Sequence, residues 1–398
     1  MDVLFSKQNL SNYIFFFLVF LFTACSDSVS ISYDVIDVNP DAQKSTLFSE
    51  IFKEVKYVRL EDTNPLIGTI GKILVLKDKY IIKSSAPDII FIFSKDGKLI
   101  NKIDSEGEGP EEYSSIKDIA YDSVKEEIII LDRKKFKLMN FDLNGKFIKS
   151  SSLPFYVSSF WNTENRYMLY CGAEITPNND TRLIVTDKEV SKVDREFLKI
   201  NPKQARFLNF FDRNNFVEFG DSIRFFYGFN DTIYNISERK ITPRFIVDFG
   251  SYSLPSGVMN RDYESSYDFI VNIRKGDFAF RIIGYAENQD YISFSFEFRG
   301  EFLLFFYEKN TQSSRLFRNL QDDISMTDFY VSEVINFTPI HLDAENNALM
   351  YVEADALRSF IDEKKSSNDG SSISDLVELD KKISVGDNPI LVVGKVSF

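Results

Sequence analysis

A single histidine and two cysteines among 398 residues cannot build a Cys₄, Cys₂His₂ or multi-histidine zinc site. The same scarcity argues against a haem or an iron–sulfur cluster. Any metal would rest on oxygen ligands, and neither a metal nor a cofactor is expected. Basic residues are also short: 47 Lys and Arg stand against 60 Asp and Glu, a formal charge of −13. Affinity for a phosphate backbone rests on counterion release by Lys and Arg, so nucleic acid is not an expected partner. There is no Walker loop, no G-x-G-x-x-G, no EF-hand spacing and no G-x-S-x-G elbow. A Ser-His-Asp arrangement would have to use His341, which reads as a strand-end histidine. Carboxylates for glycoside hydrolysis are plentiful, but among 60 acids no pair identifies itself. Catalytic residues are therefore unassigned.

Long apolar runs are scarce as well. The clearest is Ile14 to Phe22, about nine residues, which fits a signal-peptide core and falls far short of the roughly 20 that span a bilayer. It is followed by Leu21-Phe22-Thr23-Ala24-Cys25 and an abrupt polar switch to Ser26-Asp27-Ser28. This resembles a bacterial lipobox, in which the cysteine is acylated and becomes the first mature residue. Residues 1–24 are then a lipoprotein signal peptide, and Cys25 is the expected lipidation site and membrane contact. Several acyl chains on one residue anchor a protein stably. With Cys25 acylated, Cys171 is the only other thiol, no intramolecular disulfide can form, and Cys171 reads as a small buried residue.

What the sequence has in abundance is strand. From Ile31 onward, short runs rich in Ile, Val, Phe and Tyr alternate with Asp, Asn, Gly, Ser and Lys turns, the pattern of an all-β chain. Phe93-Ser94-Lys95-Asp96-Gly97-Lys98 recurs 48 positions later as Phe141-Asp142-Leu143-Asn144-Gly145-Lys146. Asp-Gly and Asn-Gly predict two-residue hairpin turns. Weaker echoes fall at Val185–Lys188, Thr232–Ile236 and Phe306–Asn310. A hairpin recurring at about 45–50 residues is the period of a propeller blade, whose sheet must stack on neighbours to bury both faces. Six blades fit the length once insertions are allowed for, with seven as the alternative. Two insertions are predicted to carry helix, at Tyr263–Arg274 and Glu353–Lys365, the second with Ala356, Leu357, Phe360 and Ile361 on one stripe.

Taken together, the lipobox, the segment Ile51 to Thr63, the FSKDGK hairpin with GEGPEEY (Gly107 to Tyr113), Asp231 to Gly250 and the ending Asp387 to Phe398 resemble the six-bladed β-propeller lipoproteins of Bacteroidetes-type bacteria. The glycine-proline loop is similar to the blade connections of NHL-type propellers, though Glu111 stands where a second glycine is common. The resemblance implies an all-β, six-bladed propeller of four-stranded antiparallel blades with short helical insertions. It divides the chain into the signal peptide, a lipidated cysteine with a tether or strand at 25–45, and a propeller at 46–398. It implies an exported, lipid-anchored location in the cell envelope, with the outer membrane favoured. No established reaction comes with it. The expected function is a monomeric binding or interaction module for a glycan, a peptide or an envelope protein. The alternative is a polysaccharide hydrolase or lyase using carboxylates on a propeller face. Candidate ligand contacts are Glu108 and Glu111 in the glycine-proline loop and the aromatic group Trp161, Tyr167 and Tyr170, which could stack on a sugar.

Overall fold

The computed structural model describes residues 33–208, 210, 214–322, 327–330, 339–366, 381, 383–384 and 386–398. Cys25 and the signal peptide lie outside the described residues, as does most of the stretch after the second predicted helix.

Six small antiparallel sheets form a ring, a six-bladed β-propeller. Blade I comprises Thr69–Val75, Lys79–Ser85, Ile90–Ser94 and Leu99–Ile103. Blade II follows with Asp118–Asp122, Glu127–Asp132, Lys137–Asp142 and Phe147–Ser152. Blade III is Ser159–Asn162, Tyr167–Tyr170, Thr181–Thr186 and Val193–Lys199, and blade IV is Phe216–Phe219, Ser222–Phe225, Thr232–Ile236 and Ile241–Asp248. Blade V has Ala279–Glu287, Tyr291–Phe298, Glu301–Glu308 and Ser313–Asp322. Blade VI takes His341–Leu342, Asn347–Val352 and Ile390–Val396 from the end of the chain, and its fourth strand, Phe52–Arg59, from the beginning. That antiparallel pairing closes the ring.

The middle strands explain why the sequence shows continuous apolar runs instead of alternation. In Tyr291–Phe298 every residue is buried, and Ile128, Ile129, Ile130 and Leu131 are all fully covered. Side chains still alternate across the sheet, but each face meets a neighbouring blade. Ile128 and Ile130 pack with Ile81, Ile90 and Ile92 of blade I, whereas Ile129 and Leu131 pack with Leu169 and Ile184 of blade III. Six such cores alternate with the blades around the ring, the last joining Phe306 of blade V to Met350, Val392 and Phe52 of blade VI. The outermost strand of blade II, with one edge free of a neighbour, is half-exposed and alternates.

Both glycine hairpins join the third and fourth strands of their blades, and the weaker echoes fall on the same part of blades III, IV and V. The turns differ from expectation. Gly97 and Gly145 have φ of +85° and +84°, but Asp96 and Asn144 remain at negative φ. Ser94 pairs with Lys98 and Asp142 with Lys146, so each loop has three residues ending in a left-handed glycine, with a bulge at Ile100 or Ile148 in the strand after it.

Ahead of the closing strand, Asp34–Asp37 adds in parallel to the outer strand of blade IV, and Lys44–Leu47 does the same on blade V. This segment is held by Arg244–Asp34 at 2.6 Å and Arg299–Asp41 at 2.8 Å. Helices form at Ser266–Ile273, capped by the Ser265 hydroxyl, and at Ala354–Ser366. Leu357 is buried as the predicted stripe requires, but Ala356 is exposed. Because strands within a blade are antiparallel, the turns after first and third strands share one face of the ring. Both helices belong to the connections on the opposite face.

Candidate functional site

The innermost strands of all six blades surround a cavity of about 770 Å³ at the centre of the ring. It reaches the turns after the first strands, touching Leu76, Ser123, Glu164, Asp221 and Ser222. The volume lies in the usual range for sites that enclose a small ligand.

Parts of the wall are locked by paired charges. Lys72 of blade I meets Asp118 of blade II at 2.8 Å with both side chains buried, and the second Asp118 oxygen accepts from the Phe160 amide of blade III at 3.0 Å. Across the ring, Glu287 is completely buried. Its Oε2 accepts from Arg224 Nε at 2.5 Å and the Tyr285 hydroxyl at 2.8 Å, and its Oε1 from Arg224 Nη2 at 3.1 Å and Lys309 Nζ at 2.6 Å. Burial pulls the Lys309 amine down, with Arg224 and Arg244 adding to it, and the Glu287 charge opposes that pull. The network ties blade IV to blade V next to the cavity.

The remaining groups are free to meet a ligand. Glu218, on the inner strand of blade IV, is accessible inside the cavity, yet the surrounding protein excludes enough water to push its carboxyl above the ordinary range. The following two-residue hairpin, Gly220-Asp221, brings Asp221 to the same wall. Burial holds the His341 imidazole below its ordinary value; Asp343 opposes this and Lys95 adds to it. Trp161 and Tyr121 supply aromatic surface, whereas Phe216 is buried against Phe225. Among the described residues, no group of three or more His, Cys, Asp or Glu side chains is placed to hold a metal ion.

Trp161 is the one sequence-selected ligand contact that lines this cavity. Its strand neighbours Tyr167 and Tyr170 are buried in the packing against blades II and IV, so the three do not form one exposed platform. Glu108 and Glu111 are exposed in the connection between blades I and II. That loop folds around Lys135, whose amine donates to the carbonyls of Gly107, Glu112 and Gly109 at 2.8, 2.9 and 3.1 Å. Tyr113 anchors it, fully buried, with its hydroxyl on the Asp88 carbonyl at 2.9 Å. Cys171 is buried beside a smaller cavity of about 220 Å³, and burial drives its thiol far up, so it is not a nucleophile. An open groove of about 910 Å³ lies at the outer rim beneath the N-terminal segment, bordered by Asp41 and Tyr252.

Sequence reasoning did not select Glu218, Asp221 or His341 as ligand contacts. Each lies in a first strand or the turn after it, so numbering strands within each repeat is the signal that would have found them.

Lys188, in the turn after the third strand of blade III, bridges blades on the cavity face. Its amine donates to Asn162, lies 4.6 Å from the Tyr167 ring centre and 3.9 Å from Asp122. Burial outweighs the Asp122 attraction and lowers its pKa to about 8. With lysines reductively methylated with ¹³C, the Lys188 signal should titrate near pH 8 while solvated lysines titrate near about 10.4. Asp122→Asn should move the Lys188 midpoint further down. A wild-type midpoint matching that of the solvated lysines would show that water reaches the amine freely.

With the geometry in place, comparison with known proteins gives the family. A family model described as a domain of unknown function, DUF4934, matches residues 33–395. The chain belongs to that family. Its match begins at the parallel strand on blade IV and ends in the third strand of blade VI, the last strand in chain order, so it takes in the whole ring. Among solved structures, the chain is similar to a protein from Bacteroides fragilis that is inferred to be exported. The TM-score is 0.71 at 16% identity, covering 92% of this chain and 100% of that one. It is also similar to a member of the DUF4221 family from Bacteroides vulgatus, with a TM-score of 0.51 at 10% identity over 87% of this chain and 97% of that one. At such identities the likeness is one of fold. No curated relative matches the chain.

Proposed function

We propose that this protein is an exported, lipid-anchored binding module of the cell envelope that receives its ligand in the central cavity. The observation that carries the reading is the cavity itself, about 770 Å³, walled by all six blades and lined by the only tryptophan of the chain. A rigid ring presenting side chains from six strands suits recognition, because each contact is held by a packed sheet. The signal-like run and lipobox at Cys25 support export and anchoring, and the similar Bacteroides fragilis protein is itself inferred to be exported. No helix among the described residues is long and apolar enough to cross a membrane.

Trp161 makes the test direct. Soluble protein beginning after Cys25 is titrated with glycan and peptide pools while its emission is followed. A saturable change that Ser123→Phe, at the exposed cavity wall, weakens at least tenfold is the expected result. Binding that leaves Trp161 emission unchanged and is indifferent to Ser123→Phe would move the site elsewhere. In cells, a palmitate analogue should label the wild-type chain and not Cys25→Ser.

One observation favours the hydrolytic alternative. Glu218, whose carboxyl is pushed up by burial, lines the cavity together with Asp221, and glycosidases use two carboxyl groups as acid and base or nucleophile. Release of reducing ends from a polysaccharide by the wild type and not by Glu218→Gln would select that reading.

A further inference from the structure

The charges around the cavity are unevenly committed. Its cations are engaged: Lys72 is paired with Asp118, and Arg224 and Lys309 are both spent on Glu287 behind the wall. Lys188 donates to Asn162 and packs against Tyr167. The carboxylates are not so engaged. Glu164 from blade III and Glu218 and Asp221 from blade IV line the cavity and have no ion-pair partner among the described residues. These three come from two blades and line one cavity because the ring brings the inner strands together. Beside them stand Trp161 and Tyr121, whose ring faces attract cations.

We propose that the central cavity binds a ligand carrying primary alkylammonium groups, held between the carboxylates of Glu164, Glu218 and Asp221 and the aromatic side chains of the wall. This rests on the cavity-binding reading and names the ligand chemistry for it. A ligand that fills the cavity displaces water from these exposed carboxylates, and a neutral or anionic one would leave them without a counter-charge. An ammonium group supplies the missing charge, and its alkyl stem can lie along the half-buried Leu74 and Val217. The same chemistry belongs to a free polyamine and to lysine side chains of a peptide. The volume accepts either.

The closing experiment uses spermidine, a tri-lysine peptide, the same peptide acetylated on its amines, cellotriose and trigalacturonate, each titrated against Trp161 emission. Saturable binding by spermidine or tri-lysine, lost on acetylation, is expected, and the relative Kd of these two identifies the source. Glu218→Gln and Asp221→Asn should each raise Kd at least tenfold with unchanged melting temperature. Because the chain carries a net charge of −13, Glu54→Gln at the exposed rim serves as the control for diffuse attraction and should leave Kd unchanged. An equal loss with Glu54→Gln would overturn the proposal. If cellotriose or trigalacturonate perturbs Trp161 and the amines do not, the ammonium assignment fails while the cavity reading stands. If no probe perturbs Trp161, both are overturned.

Discussion

Glu287→Ala is expected to destabilise the protein by about 3–5 kcal/mol, the cost of removing one partner from a buried ion pair. The substitution strands the charge of Arg224, which is 3% exposed, takes the acceptor from the Tyr285 hydroxyl and leaves Lys309 with only the Asn288 carbonyl. Much of the cost is the penalty for an uncompensated buried guanidinium. Replacing Glu287, Arg224 and Lys309 together with methionine should therefore recover most of the loss, since a network removed whole leaves no orphaned charge. Urea unfolding of the two variants measures both quantities. A loss below about 1 kcal/mol for Glu287→Ala, the range of exposed pairs, would mean that water already solvates the network. Because Glu287 also borders the central cavity, the same variant should impair ligand binding even where the protein remains folded.

The second large effect separates two glycines that look alike in sequence. Gly97 and Gly145 occupy the same place in successive repeats with nearly the same positive φ. Alanine at Gly145 should cost only the left-handed strain, about 1–2 kcal/mol, because an added Cβ would meet nothing nearer than 3.7 Å. At Gly97 the Cβ would lie 2.1 Å from the carbonyl oxygen of Arg59 in the closing strand. Backbone there cannot swing aside like a side chain, so a further roughly 1–3 kcal/mol of overpacking is expected. Gly97 also accepts from the Glu61 amide at 2.8 Å, while the Glu61 carboxylate accepts from the Leu99 amide at 2.8 Å. Gly97→Ala should thus loosen the contact between blade I and the ring closure. Equal urea midpoints for the two alanine variants would show that the closing strand yields at no cost.

How far the sequence could be read depends on the range of the interaction. Local chemistry was legible: the helix expected at Tyr263–Arg274 forms over Ser266–Ile273, and Asp-Gly and Asn-Gly marked true hairpins at the repeat period. The turn type was not, because Asp96 and Asn144 could adopt either sign of φ and the three-residue loop goes with a bulge at Ile100 or Ile148 in the strand that follows. Trp161 was singled out for its chemistry, but Tyr167 and Tyr170 shared that chemistry and went into inter-blade packing. Whether an aromatic is platform or core is a question of which strand it occupies in the blade.

The sequence by itself determined the strands, their period and the propeller they imply, because turn residues and apolar runs act over a few positions and repeat. Only the tertiary structure decided that Phe52–Arg59 completes the last blade, that Gly97 is confined where Gly145 is free, and that Glu164, Glu218 and Asp221 share a cavity with Trp161. Those outcomes depend on closing a ring. Closure brings into contact residues more than 300 positions apart, as in the pairing of Arg59 with Ile390, and no local pattern in the chain encodes that meeting.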